Sequence, residues 1–158
     1  MNEPTSNLFT ELRQRFEKLS PGDQAALRRV EEPKDLLESG VFYRLCQRSE
    51  GLSQLARVVF ILPWLRHVEK RSLGAVLYNS ALSQVSEARI IQMTRSEEPQ
   101  DLVTLRRIIW QAAGRHAEQG TDWDVLGRQL YYWGEKSKQQ ILKDYFMAEI
   151  AGNNKEEE

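Results

Sequence analysis

Apolar residues recur at intervals of three and four along nearly the whole of this 158-residue chain, and the strict alternation of a half-buried strand is almost missing. That rhythm favours amphipathic helices packed on one another. Leu8, Leu12, Phe16 and Leu19 mark one face of a first helix, for which Ser6 is the expected N-cap. Ser20-Pro21-Gly22-Asp23 starts a second, since serine caps, proline suits the first helical position and aspartate favours the positive helix end. Pro33 ends that run, because proline lacks an N–H and drives the preceding residue out of the α region.

A short helix is expected over Val41 to Gln47. A central one follows Leu52, with Leu55, Ala56, Val59 and Phe60 on its inner face and Pro63 at its end. Residues 66–71 read as a charged connector. Ser72 and Ser86 are expected to cap SLGAVLYNSAL and SEARIIQMTR. Pro99 opens a long helix with the stripe Leu102, Leu105, Ile109 and Ala112, bracketed by Gly114 and Gly120. Trp123, Leu126, Leu130 and Trp133 form the next, up to Gly134, and Ile141, Leu142, Tyr145, Phe146 and Ile150 the last, ending at Gly152. The expectation is an all-α, compact, bundle-like domain of about eight helices with no sheet. It occupies residues 1–150 as one unit or two small lobes sharing a core, and a disordered acidic tail covers 151–158.

Several kinds of chemistry have no support. His67 and His116 lie in different segments without a second ligand at metal-binding spacing, and neither HExxH nor CxxC occurs. The scattered glycines form no GxGxxG or GxxxxGK[ST] loop. Cys46 has no local base or orienting acid and reads as a buried small hydrophobe. No catalytic residue, cofactor or metal is expected. A lone cysteine cannot form an internal disulfide, and MNEPTSNLF lacks the basic and apolar regions of a secretory signal, so the expected setting is the cytoplasm. The longest apolar stretch, Val58 to Leu65, is far shorter than the ~20 residues of a spanning helix.

The net charge of -1 means that any polyanion must be met by a local patch. Lys136, Gln139, Gln140 and Lys143 fall at i, i+3, i+4 and i+7, forming one polar, cationic stripe. Arg106 and Arg107 interrupt the long apolar helix, with Arg107 on the side of Val103 and Trp110. Arg89 and Arg95 border Ile90 and Ile91, while Arg28 and Arg29 close the second helix, where a cation also suits the negative helix end. Trp64, Trp110, Trp123 and Trp133 suit either base stacking or core packing, and the apolar pattern around three of them favours the core. On these residues alone, nucleic-acid binding and protein scaffolding are evenly matched.

Leu27-Arg28-Arg29-Val30, Glu32-Pro33, Asp35-Leu36 and Phe42-Tyr43-Arg44-Leu45 with Gln47 resemble the amino-terminal signature of the CasB family, the small subunit of type I-E CRISPR Cascade. The likeness continues through Arg57-Val58-Val59-Phe60, Ser72-Leu73-Gly74, Arg89-Ile90, Asp101-Leu102-Val103, Leu105-Arg106-Arg107, Asp122-Trp123 and Trp133-Gly134. The resemblance implies a non-catalytic helical subunit whose partners are guide RNA, the target and displaced DNA strands, other Cascade subunits and a second copy lying head to tail. It places the basic surface at Arg29, Arg57, Arg89, Arg95, Arg107 and Lys136. Glu135 stands where a basic residue often follows the Trp-Gly pair, which makes Lys138 and Arg71 compensating candidates and leaves Lys143 on the same helical stripe as Lys136.

Overall fold

The structure, a computed structural model, describes residues 7–80, 85–114 and 116–157. Its first helix, α1 (Leu8–Glu17), has Asn7 at the N-cap and buries Leu8, Phe9, Leu12 and Phe16, while the expected cap Ser6 lies outside the described residues. Each such side chain contributes roughly 1.5–3 kcal/mol when fully buried. Helix α2 (Pro21–Arg28) starts as its sequence dictates: Ser20 Oγ accepts from the Asp23 N–H at 3.1 Å, and proline takes the first position. Pro33 opens a 3₁₀ turn over Pro33–Glu38, and α3 (Gly40–Cys46) follows. Helix α4 (Leu52–Ile61) is the central element, its residues 58–61 all buried, and Pro63 converts its end into a second 3₁₀ turn at Leu62–Trp64. Helices α5 (Leu73–Asn79) and α6 (Glu87–Arg95) begin at Ser72 and Ser86, whose hydroxyls accept from Ala75 and Arg89 N–H groups. Ala81 and Leu82, at the end of the expected Ser72 helix, lie outside the described residues.

Helix α7 (Gln100–Ala113) runs from Pro99 to Gly114, α8 (Trp123–Tyr131) is capped by Asp122, and α9 (Glu135–Glu157) closes the chain. Helix α5 packs along α9, α6 along α7, and α1 and α4 against α8. The buried apolar residues of these helices join one cluster.

The sequence suggests no sheet, yet Arg66–His67 (β1) pairs in parallel with Gly120–Thr121 (β2). Two-residue strands are too short to show alternation. Their pairing rests on Arg66 N–H donating to Gln119 O at 3.1 Å and Val68 N–H to Thr121 O at 2.9 Å, and a Cβ on Gly120 would stand 2.8 Å from Arg66 O. The adjacent Trp123 is fully buried, its indole N–H donating to Leu65 O at 2.9 Å and its backbone N–H to His67 Nδ1 at 3.1 Å. His67 is thus a structural acceptor.

The expected helix end at Gly152 needs correction, because α9 stays helical through Glu157. A glycine ends a helix when the chain turns left-handed there. Here the helix continues past Tyr78 of α5, whose ring lies 3.4 Å from where a Gly152 Cβ would sit.

Cys46 is buried at 1% exposure, and burial pushes its thiol up to about 12, against a partial opposing pull from Arg15 and Arg48. Only the thiolate is nucleophilic. The folded chain is expected to resist iodoacetamide at neutral pH and to label fully in urea, which mass spectrometry reads directly. Stoichiometric labelling of folded protein would contradict this placement.

Candidate nucleic-acid interface

Three elements bring guanidinium and indole groups together on one side of the molecule. The C-terminal turn of α2 supplies Arg28, the proline-induced turn after α4 supplies Trp64, and the middle of α7 supplies Arg106, Arg107 and Trp110. Residues 106, 107 and 110 share a side of α7 because they lie three and four apart. Together the five line a cleft of about 260 Å³, with no carboxylate in its wall. Arg28 also lines an adjoining depression, together with Arg13, Arg66 of β1 and His116. Five arginines therefore line two depressions that meet at Arg28, together called the groove below. Glu17 is the acid in its lining, and Arg13 Nε already holds it at 3.2 Å.

The inner members of this row are fixed by the core. Arg106 lies 4.2 Å over the Phe60 ring and donates to Val30 O, which pins α7 to the segment after α2. Burial holds its pKa below the usual guanidinium value; Arg107 adds to this, and Glu31 opposes it. Arg13 is buried, donates to Leu62 O at 2.8 Å and lies 5.0 Å over Phe16. Its pKa too is lowered by burial first, with Glu17 opposing and with Arg28 and Arg66 pushing it further down. Arg28 lies 5.5 Å over the same Phe16 ring. Guanidinium stacking on aromatic faces fixes these groups without neutralising them. Arg107 and Arg66 are exposed at the rim.

The nine basic residues singled out in the sequence do not form one ridge. Arg107 lies in the groove, and Arg29 is exposed nearby at the end of α2, its Nε donating to Ala25 O at 3.2 Å. Arg57 is instead occupied with structure: it donates to Leu130 O at 2.8 Å and to Tyr131 O, capping the carbonyl end of α8, and it lies 3.9 Å from Glu98. Arg89 donates to Gln111 Oε1, and Arg71 to Gln119 Oε1 at 2.9 Å. Lys138 is 2.6 Å from the fully buried Asp101 and donates to Ser96 O at 2.7 Å, which ties α9 to α7 and to the end of α6. Arg95 is exposed but shares its depression with Glu97, Glu98 and Glu135. Lys136, Gln139, Gln140 and Lys143 are all exposed and form the expected stripe along α9.

Sequence reasoning favoured the core for the tryptophans, and Trp123 is fully buried. Trp110 is not: it is 48% exposed at the groove's edge. Arg28, Arg66 and Arg106 were likewise not among the nine. Adjacent Arg28-Arg29 and Arg106-Arg107 pairs were the available signal, but Arg66 reaches the groove only through the β1–β2 pairing.

The fold and groove define a small helical protein whose outward chemistry is a row of guanidinium groups edged by indole. Residues 23–146 match the family described as CRISPR-associated protein Cse2, and the chain belongs to that family. It is 34% identical over 148 residues to CRISPR system Cascade subunit CasB of Escherichia coli (strain K12), covering 84% of this chain and 88% of that protein. Its fold is similar to a chain in the crystal structure of E. coli Cascade bound to a PAM-containing dsDNA target. There the TM-score is 0.76 at 35% identity, over 89% of this chain and 97% of that one. The resemblance to CasB read from the sequence is therefore correct. Among the described residues no helix is long and apolar enough to cross a membrane.

Proposed function

We propose that this chain is the small subunit of a Cascade-type CRISPR surveillance complex in the cytoplasm. It performs no catalysis and holds guide RNA and the target and displaced DNA strands through charge and backbone shape. Guide pairing reads the sequence, and the protein supplies cations along the path of the strands. The observation that carries this reading is the acid-poor groove of Arg28, Arg66 and Arg107, on a chain of net charge -1. A nearly neutral protein that gathers guanidinium groups on one surface attracts polyanions locally while avoiding indiscriminate binding. The α9 stripe of Lys136 and Lys143, with Arg29 and Arg95, provides further phosphate contacts. Membership of the Cse2 family and the likeness to a chain of DNA-bound Cascade support the same setting.

Replacing Arg28, Arg66 and Arg107 together with alanine is expected to weaken single-stranded DNA binding irrespective of sequence. The slope of log affinity against log salt is expected to fall by about 2, since each lost phosphate contact on a single strand contributes about 0.7. Anisotropy of a labelled oligonucleotide across a salt series measures both. An unchanged slope, in the free chain and in the assembled complex, would refute the reading.

Protein scaffolding, the alternative class, has its own observation. Val125 and Tyr132 are 49% and 50% exposed and line a depression with Lys136 between α8 and α9. Exposed apolar groups beside a polar rim suit a protein neighbour, such as another Cascade subunit or a second copy lying head to tail. This face and the arginine groove involve different residues, so the scaffold role complements nucleic-acid binding. Scaffolding alone predicts DNA retention that is nearly independent of salt.

A further inference from the structure

The cleft between Arg28, Trp64, Arg106, Arg107 and Trp110 combines features that the rest of the chain keeps apart. Two other tryptophans satisfy their indole N–H groups: Trp123 donates to Leu65 O and Trp133 to Asp101 Oδ2, each at 2.9 Å. Buried indole N–H groups generally find such an acceptor. Trp64 Nε1 is buried with no partner among the described residues, and the same is true of Arg28 Nε. Both residues line this one cleft. At its edge, Trp110 leaves nearly half of its surface uncovered, one helical turn from the exposed Arg107. Two buried N–H groups without a partner thus lie in the residues around the cleft, together with cations that face no carboxylate in its wall and a flat aromatic surface at its edge.

Acceptor-rich, anionic and planar describes a nucleotide. At about 260 Å³ the cleft falls below the roughly 300–1,000 Å³ of sites that enclose a whole small molecule, so it suits one unit of a chain that continues across the surface. We infer that this cleft captures one unstacked nucleotide of a single strand, the base against Trp110 and its phosphate on Arg107 and Arg28. The inference rests on the nucleic-acid reading above and deepens it. The groove is not only an electrostatic track, since at this point it distinguishes a strand with free bases from a duplex whose bases are paired inside. Stacking on an aromatic side chain is tolerant of sequence because every base has a π face.

The test uses the full-length chain and two probes of equal length and charge: an oligothymidylate and a base-free deoxyribose-phosphate polymer. Trp110→Ala is expected to weaken oligothymidylate binding by about 5- to 160-fold, the range for loss of one stacked base. It is expected to leave the base-free polymer unaffected, while Trp110→Phe retains most of the affinity. Arg107→Ala is expected to weaken both probes alike and to lower the salt slope by about 0.7. Because Trp110 is half exposed, its replacement leaves the core intact, and circular dichroism verifies this. Equal affinity of the wild-type chain for the two probes, or an unchanged oligothymidylate affinity in Trp110→Ala, would overturn the nucleotide site while leaving the electrostatic groove standing. Failure of the wild-type chain and of its assembled complex to bind either probe would overturn both.

Discussion

Asp101→Ala is expected to lower the unfolding free energy by about 3–5 kcal/mol, the range for breaking a buried ion pair by removing one partner. Asp101 has no exposed surface, and its carboxylate organises three elements. It accepts from the Leu102 N–H at 2.7 Å in the first turn of α7, from the Trp133 indole at 2.9 Å, and from Lys138 Nζ of α9 at 2.6 Å. Without it, the Lys138 ammonium keeps Ser96 O and a Trp133 ring 5.8 Å away, but no carboxylate within 4 Å among the described residues. Replacing both ends, as in Asp101→Leu with Lys138→Met, is expected to recover much of the loss, because apolar substitutes avoid the desolvation of two charges. Urea denaturation of the two variants reads the difference. A loss below about 1 kcal/mol for Asp101→Ala would mean that the pair behaves as a screened surface contact.

The same pair separates structure from function. In the sequence Lys138 is a candidate to compensate for Glu135, but its side chain is 11% exposed and its ammonium is engaged twice over. Its removal therefore acts on stability and not on the salt slope of binding, whereas removal of the exposed Arg107 acts the other way round.

Helix starts were legible because they depend on neighbours in sequence. Ser20, Ser72 and Ser86 each accept from an N–H three residues on, and Pro63 ends α4 by its own geometry. Which arginines stay available was not legible. Arg57 and Arg107 both interrupt an apolar helical stretch, and nothing local distinguishes them. Arg57 meets carbonyls of α8 some 73 residues further along, an encounter that only the packing of α4 on α8 creates. Among the described residues Arg107 meets no such acceptor. Arg66 looked like part of a charged connector until β1 paired with β2 and set it beside Arg13 and Arg28. Trp110 lies on the side of α7 that carries Val103 and Arg107, next to the stripe of Leu105, Ile109 and Ala112, whose members are all buried. Periodicity locates the centre of a buried face but not how far round the helix its cover extends.

Gly74→Ala is expected to destabilise the chain by about 3 kcal/mol, although alanine is ordinarily favoured over glycine in a helix by about 1 kcal/mol. Gly74 lies in the first turn of α5, where that helix crosses α9. A Cβ there would stand 2.3 Å from the Tyr145 backbone N and 2.6 Å from the Asp144 carbonyl carbon. Backbone atoms of a long helix cannot swing aside as a side-chain tip can, so the two helices must separate. Separation disturbs Tyr145, which is buried, donates to Val85 O at 2.7 Å and meets the Tyr78 ring edge-on at 5.5 Å. The loss falls on the α5–α9 seam, while the arginine cleft is built from α2, the turn after α4, and α7. The folded fraction of Gly74→Ala is therefore expected to bind oligothymidylate with wild-type affinity even as its urea midpoint falls. A midpoint equal to or above that of the wild type would show that α5 and α9 do not approach this closely.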